Sequence, residues 1–143
     1  MQVDRVFVDT NVLLSGLVFE GNEARLLQLA LDGQVKLVIA GPVLDEARRI
    51  LQSKFAGRAA ALDELLGSLH YDTAPLPDET ALHTASSLTR DPGDVVVLAS
   101  MLVARADRVV TGDKDLLIEQ VREAVPVCTC AQYLAERDQA EQV

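Results

Sequence analysis

The sequence is short of cysteine, histidine and positive charge, and each scarcity closes off a class of chemistry. Its only cysteines, Cys128 and Cys130, are separated by one residue. A single intervening residue is not the spacing of a metal knuckle, and neither that nor a mutual disulfide is expected; two reduced core thiols are. Of the two histidines, His70 and His83, neither has a partner at ligand spacing, so a surface or packing role is expected for both. No apolar run approaches the roughly 18 residues of a membrane span. The opening Met1-Gln2-Val3-Asp4-Arg5 lacks the basic segment and apolar stretch of a secretory signal, so a cytoplasmic protein without membrane association is expected. There is no phosphate-cradling glycine loop, no internal repeat, no low-complexity segment and no interdomain linker.

Basic residues number 13 against 22 acidic ones, for a net charge of −9. A surface attractive to polyanions everywhere is therefore excluded, and a nucleic-acid substrate would need a local basic patch or bound cations. Two stretches offer such a patch: Arg48-Arg49 with Lys54 and Arg58, and Arg105 with Arg108 and Lys114. Either reads equally as a solvated face.

What is present is a regular alternation of short apolar strands and amphipathic helices. With 143 residues and 49% hydrophobic composition, one domain with a real core is expected over 1–143, its body spanning about 5–134. Val6-Phe7-Val8 reads as a buried strand ending at Asp9, and Thr10-Asn11 opens a helix that buries Val12, Leu13 and Leu14. A helix over Asn22–Leu31 ends at Asp32-Gly33, and a strand over Val35–Ala40 closes on Gly41-Pro42. From Pro42 to about Lys54, Val43, Leu44, Ala47, Ile50 and Leu51 share one helical face. Further helices are expected over Arg58–Leu69, ending near Gly67, and over Glu79–Leu88, with Leu82, Ala85 and Leu88 inward. Pro75-Leu76-Pro77 marks a turn between them. The run from Val95 to Ala104 reads as a helix buried on most sides. Arg108–Thr111 and Pro126–Thr129 read as strands. A helix from Ala131 is expected to fray into a polar tail, Glu136–Val143. Strands alternating with helices imply an α/β fold: a three-layer α/β/α sandwich around a mostly parallel sheet with right-handed crossovers.

In open sheets of this class, ligands bind at the carboxyl edge of the strands, and there the acids collect. Asp9 and Asp113 follow strands. Glu46 and Asp94 lie in the first turns of helices that begin on the same edge; Glu46 borders the apolar face of its helix, whereas Asp45 points into water. Each has a plainer explanation. Asp9 can cap the following helix, Glu46 can favour a helix amino terminus, and Asp91, Pro92 and Asp94 can form a capping arrangement. Four acids converging on one edge have no good account as independent caps. Carboxylates brought close together repel one another and take up protons unless a cation neutralises them. A hard divalent ion, Mg²⁺ or Mn²⁺, suits oxygen ligands, needs only one or two direct carboxylates, and can lower the pKa of a water and stabilise charge on a phosphodiester.

The ordered set Val8-Asp9-Thr10-Asn11-Val12, Leu44-Asp45-Glu46, Asp91-Pro92-Gly93-Asp94 and Val110-Thr111-Gly112-Asp113-Lys114-Asp115-Leu116-Leu117 resembles the PIN-domain ribonucleases. It is most similar to the bacterial and archaeal PIN toxins of the VapC-like type. The resemblance implies that Asp9, Glu46, Asp94 and Asp113 hold Mg²⁺ or Mn²⁺ for RNA hydrolysis and that Asn11 and Thr111 orient the site. It also implies a homodimer inhibited by an antitoxin protein. Where many relatives carry a second acid or amide after the third acid, this chain has Val95, so Asp94 serves alone or with Asp91. Asp115 is either a supporting partner of the site or an exposed acid. Two other readings compete: a non-catalytic PIN-like module that binds RNA or a protein, and a phosphohydrolase on small substrates. The latter lacks a signature, because Asp9-Thr10-Asn11 has no second aspartate.

Overall fold

The computed structural model describes residues 3–141; Met1, Gln2, Gln142 and Val143, including the first residues of the opening segment and the last two of the expected tail, lie outside them. Five parallel strands form one sheet in the order β3-β2-β1-β4-β5. The elements, in chain order, are β1 (Asp4–Val8), α1 (Thr10–Val18), α2 (Asn22–Leu31), β2 (Val35–Ile39), α3 (Gly41–Lys54), a 3₁₀ turn at Ala56–Arg58, α4 (Ala61–Ser68) and β3 (Tyr71–Thr73). They continue with α5 (Glu79–Leu88), α6 (Pro92–Ala104), β4 (Arg108–Val110), α7 (Glu119–Ala124), β5 (Val127–Cys128) and α8 (Cys130–Glu141).

β1 is central because its residues have nothing polar to offer water after Arg5. Val6, Phe7 and Val8 alternate between the two faces, yet all are 0% exposed, so both faces are covered, as expected for a parallel sheet. On one side it pairs with β2, from Asp4 opposite Val35 to Phe7 opposite Val38, and on the other with β4, ending with Val8 opposite Val110. The chain runs outward from β1 to β2 and β3, then returns to the other flank of β1. The reversal makes the carboxyl ends of β1 and β4 the switch point of the sheet, and just beyond them Thr111 bonds to Asp9. The helices that carry Glu46 and Asp94, α3 and α6, touch one another.

Several expectations need correction. β3 was not anticipated: Tyr71-Asp72-Thr73 is a polar edge strand, fixed by Asp72, which pairs with Arg5 of β1 at 3.0 Å and Lys36 of β2 at 3.2 Å. Nor was α7, a charged six-residue helix whose buried residue is Val121. The helix expected from Arg58 is divided. Ala59 and Ala60 are exposed and form a turn, and α4 begins where Leu62 and Leu65 can be buried. α6 is less enclosed than its apolar run suggested. Burial starts at Leu98, and Val96 is 42% exposed, because a 13-residue helix overhangs the three-residue strand that follows it.

The polar segment from Glu136 does not fray, since α8 runs to Glu141. It is tied down by Arg108–Glu136 at 2.8 Å and Arg25–Asp138 at 2.7 Å, and by the Tyr133 hydroxyl, which donates to Asp4 at 3.0 Å. Cys130 opens this helix instead of lying on a strand. Both thiols are free and buried, and burial pushes that of Cys130 up to about 12, which leaves it unreactive. The second basic stretch is not one patch either. Arg105 and Arg108 precede or open β4, with Arg108 spent on Glu136, whereas Lys114 lies beyond the strand's other end.

Candidate active site at the carboxyl edge of the sheet

Asp9 is placed by the end of β1 and is only 8% exposed. Its backbone is extended (φ −80°, ψ 164°), and Oδ1 accepts from the amide of Thr10 at 2.8 Å, so it does cap α1. Capping occupies one oxygen. The other, Oδ2, accepts from the Thr111 hydroxyl at 2.8 Å. Thr111 is fully buried just past β4, and its Oγ1 also accepts from the amide of Asp113 at 3.1 Å, which turns the chain so that Asp113 follows the strand end. Asp113 Oδ1 accepts in turn from the amide of Asp115 at 2.9 Å, while the Asp115 side chain is exposed.

Glu46 reaches the same place from α3. That helix begins at Gly41 and has no acid in its first turn. Glu46 is thus one turn deeper than expected, beyond the reach of the terminal dipole that was its plainer explanation. It is half-buried while Asp45 is exposed, and its Oε2 lies 3.4 Å from the donating hydroxyl of Thr10. Thr10, 4% exposed, therefore binds Asp9 through its amide and Glu46 through its side chain. As a sequence feature it looked like a helix-starting residue only. The hint of a further role was its position between an acid and an apolar run, where a hydroxyl has no solvent to turn to.

At α6, Asp91 is exposed and caps the helix, its Oδ1 accepting from the Gly93 amide at 2.9 Å. A capping box would need Asp94 to reach back to the amide of Asp91, but that amide donates to the Thr89 hydroxyl at 3.2 Å. Asp94 is free of capping work, and its buried Oδ2 has no partner. Burial first, and then the charges of Asp113, Asp91, Asp115 and Asp9, push its carboxyl up to about 6. The Asp9 carboxyl is also raised. Burial is the main cause, offset in part by the bonds from Thr111 and Thr10 and reinforced by the charges of Asp113 and Glu46. Asp9, Glu46, Asp94 and Asp113 thus form one electrostatic neighbourhood. Among the described residues none of the four is paired with a lysine or arginine. Asn11 is exposed on the first turn of α1 and hydrogen-bonds none of them.

The family model described as PIN domain matches residues 5–115, well over half of the sequence. The chain belongs to the PIN-domain family. PIN domains are generally nucleases and typically use divalent metal ions. Among solved structures, the crystal structure of VapBC2 from Rickettsia felis bound to a DNA fragment from their promoter contains a chain similar to this PIN domain. The match has a TM-score of 0.61 and 14% identity, and covers 87% of this chain and 98% of the other. No curated protein matches the sequence. Among the described residues no helix is long and apolar enough to cross a membrane.

The side chains gathered at this edge of the PIN domain offer carboxylate oxygens, the chemistry preferred by hard divalent cations. Among the described residues no three His, Cys, Asp or Glu side chains are arranged to cage an ion by themselves. A hard cation that keeps most of its waters needs only one or two direct carboxylates. The orphaned Asp94 Oδ2 is the natural point of attachment.

Proposed function

We propose that this PIN domain is a Mg²⁺- or Mn²⁺-dependent endoribonuclease that hydrolyses RNA phosphodiester bonds, and that it is the toxin of a toxin–antitoxin pair. The observation that carries the first part is the group of four acids without a cation, one of them with a buried oxygen that nothing satisfies. Asp9, Glu46, Asp94 and Asp113 are the residues we assign to the ion. When bound, it supplies charge neutralisation and Lewis-acid polarisation of water and phosphate. The rest falls to the protein. Thr111 and the Thr10 amide hold the two oxygens of Asp9 in fixed directions, and Thr10 restrains Glu46. Asp91 holds the first turn of α6, the turn that carries Asp94. Asp113 is oriented by the turn at Thr111 and in turn secures the loop at Asp115. Asn11 is left for substrate, since it is exposed beside Asp9.

The toxin assignment is supported by the ordered motifs and by the likeness to a chain of VapBC2, which extends to the fold. On this reading the 143 residues act as one cytoplasmic unit, homodimeric and held in check by an antitoxin protein. A non-catalytic module binding RNA or a protein is the second reading.

Incubation of purified protein with mixed RNA in Mn²⁺, in Mg²⁺ and in EDTA separates the two. Cleavage in the metals alone, abolished by Asp9→Asn with the thermal transition preserved, is the expected result. Cleavage in excess EDTA overturns the nuclease proposal. Metal-induced stabilisation without cleavage of any RNA favours the module.

A further inference from the structure

Five residues of the chain are aromatic, three Phe and two Tyr. Phe7 and Tyr133 are buried in the core, and Tyr71 is half-buried on β3. The other two meet at the surface: the rings of Phe19 and Phe55 stand edge to face at 90°, centroids 6.1 Å apart, with Phe19 60% exposed. An exposed phenylalanine gains little from burial, so hydrophobic packing is a poor account of its place.

These residues cap the carboxyl ends of α1 and α3, the helices that carry Thr10 and Glu46 to the acidic edge. The pair therefore lies at the far ends of both helices. Glu46 to Lys54 is a rise of about 12 Å along α3 at about 1.5 Å per residue. Positive charge lies along α3 toward this end and just beyond it. Lys54 and Arg58 are exposed on either side of Phe55, and the Arg58 amide donates to the Phe55 carbonyl at 2.7 Å. Arg49, also exposed, projects from α3 between Glu46 and Lys54. Arg48 is engaged by Asp63 at 3.2 Å, but Arg49, Lys54 and Arg58 have no ion-pair partner among the described residues. The nearest acid in sequence to Phe19 is its neighbour Glu20. In a chain of net charge −9, this is where unpaired cations and an open aromatic ring coincide.

We propose that Phe19, Phe55, Arg49, Lys54 and Arg58 form a binding face for single-stranded RNA that leads the strand to the acidic edge. Cations set along a path match the phosphate backbone, and an exposed ring offers a stacking surface to an unstacked base of any identity. A duplex keeps its bases stacked and has no such use for Phe19. The inference rests on the nuclease reading for the direction of the strand, but its test does not need catalysis.

Binding of a labelled RNA 12-mer to the full chain is measured by fluorescence anisotropy in EDTA across a range of salt, so that cleavage cannot intervene. Phe19→Ala is expected to weaken binding on the order of tenfold or more, and Phe19→Leu, which keeps the bulk without the π-face, to do nearly the same. Replacing Arg49, Lys54 and Arg58 by Gln is expected to flatten the slope of log affinity against log salt by about 0.7 for each phosphate that is no longer neutralised. Arg122→Gln on α7, a single charge removed far from this face, should leave both affinity and slope nearly unchanged. Undetectable binding by the unsubstituted protein at low salt overturns the proposal. So do undiminished affinity in the Phe19 variants and equal losses in Arg122→Gln. RNA binding without cleavage in Mn²⁺ would sink the nuclease reading and leave this one intact. Metal-dependent cleavage with unaltered binding in the variants does the reverse.

Discussion

The Thr111 hydroxyl donates to Asp9 Oδ2 at 2.8 Å across 102 residues of chain, and the same hydroxyl oxygen receives the Asp113 amide at 3.1 Å. One buried side chain thus joins the ends of two neighbouring strands and fixes the direction of a carboxylate. Thr111→Val keeps the shape and removes the hydroxyl, so a buried carboxylate loses a donor and an amide loses its acceptor. The expected loss is about 1–3 kcal/mol of unfolding free energy, read from urea titrations at neutral pH, with recovery in Thr111→Ser. Because this bond holds the Asp9 carboxyl down against burial, the valine variant should also need a higher pH to ionise Asp9. Equal stability of Thr111→Val and the parent would contradict this role.

The raised carboxyls give the metal-free protein a definite pH dependence. Asp94 titrates near 6 in the folded chain against 3.8 for an ordinary aspartate, and Asp9 is shifted in the same direction. The folded state holds these protons more tightly than the unfolded chain does. Their stabilising contribution is present below the unfolded value and is lost as pH rises through the folded one. Asp72 acts oppositely. Its bonds to Arg5 and then Lys36 hold it below the ordinary 3.8, so its contribution is present above that value and is lost on stronger acidification. In EDTA the urea midpoint should therefore fall between about pH 4 and about pH 7, and Asp94→Asn should lie above the parent at neutral pH. A site kept for binding commonly carries such a cost in stability. A destabilised Asp94→Asn variant at neutral pH is the result that would refute the assignment of repulsion to this carboxyl.

What was legible in the sequence follows from where the determining contacts lie. β1, β2 and β4 are short apolar runs whose burial is dictated by composition, and α2 and α5 carry their own boundaries in Asp32-Gly33 and in the capping Asp78. β3 was invisible because Tyr71-Asp72-Thr73 is held by Arg5 and Lys36, each more than thirty residues away. The continuation of α8 to Glu141 likewise depends on Arg25, Arg108 and Asp4, none of them local. At the acidic edge the same rule holds. Acids at strand ends and helix starts announced themselves by position, whereas the bridging role of Thr10 requires knowing that α3 packs beside α1.

Gly16 marks how closely α1 and α2 cross. A Cβ there would lie 2.5 Å from Leu27 Cδ1 and 2.9 Å from the Glu23 carbonyl oxygen, and the latter is backbone that cannot swing aside. Glycine within a helix costs about 1 kcal/mol relative to alanine. Relieving that cost competes with an overpacking penalty of about 1–3 kcal/mol. With a backbone atom in the way, the penalty should win, so Gly16→Ala is expected to lower the thermal midpoint and Gly16→Val to lower it further. Gly67 in α4 is the control, since a Cβ there would meet nothing within 4 Å. Gly67→Ala should be neutral or stabilising by up to about 1 kcal/mol. If both alanines stabilise alike, the two helices have room to spare and the close crossing is not what selects glycine.

Among the described residues Thr10 is the one side chain that links Glu46 to the rest of the acids, and a link of that kind is measurable as a coupling. Its amide bond to Asp9 survives any substitution that keeps the helix, so Thr10→Val removes only the hydroxyl 3.4 Å from Glu46 Oε2. At that length the contact is at the outer limit of a hydrogen bond, and its loss should cost folding stability little. Mn²⁺ affinity is the sharper readout, taken as the metal-induced shift in thermal midpoint or by calorimetric titration. Thr10→Val and Glu46→Gln should each weaken binding, and the double variant should be no weaker than Glu46→Gln alone, because the hydroxyl acts by orienting that carboxylate. Thr10→Ser should restore most of the loss. Additive losses in the double variant would show that Thr10 works independently of Glu46.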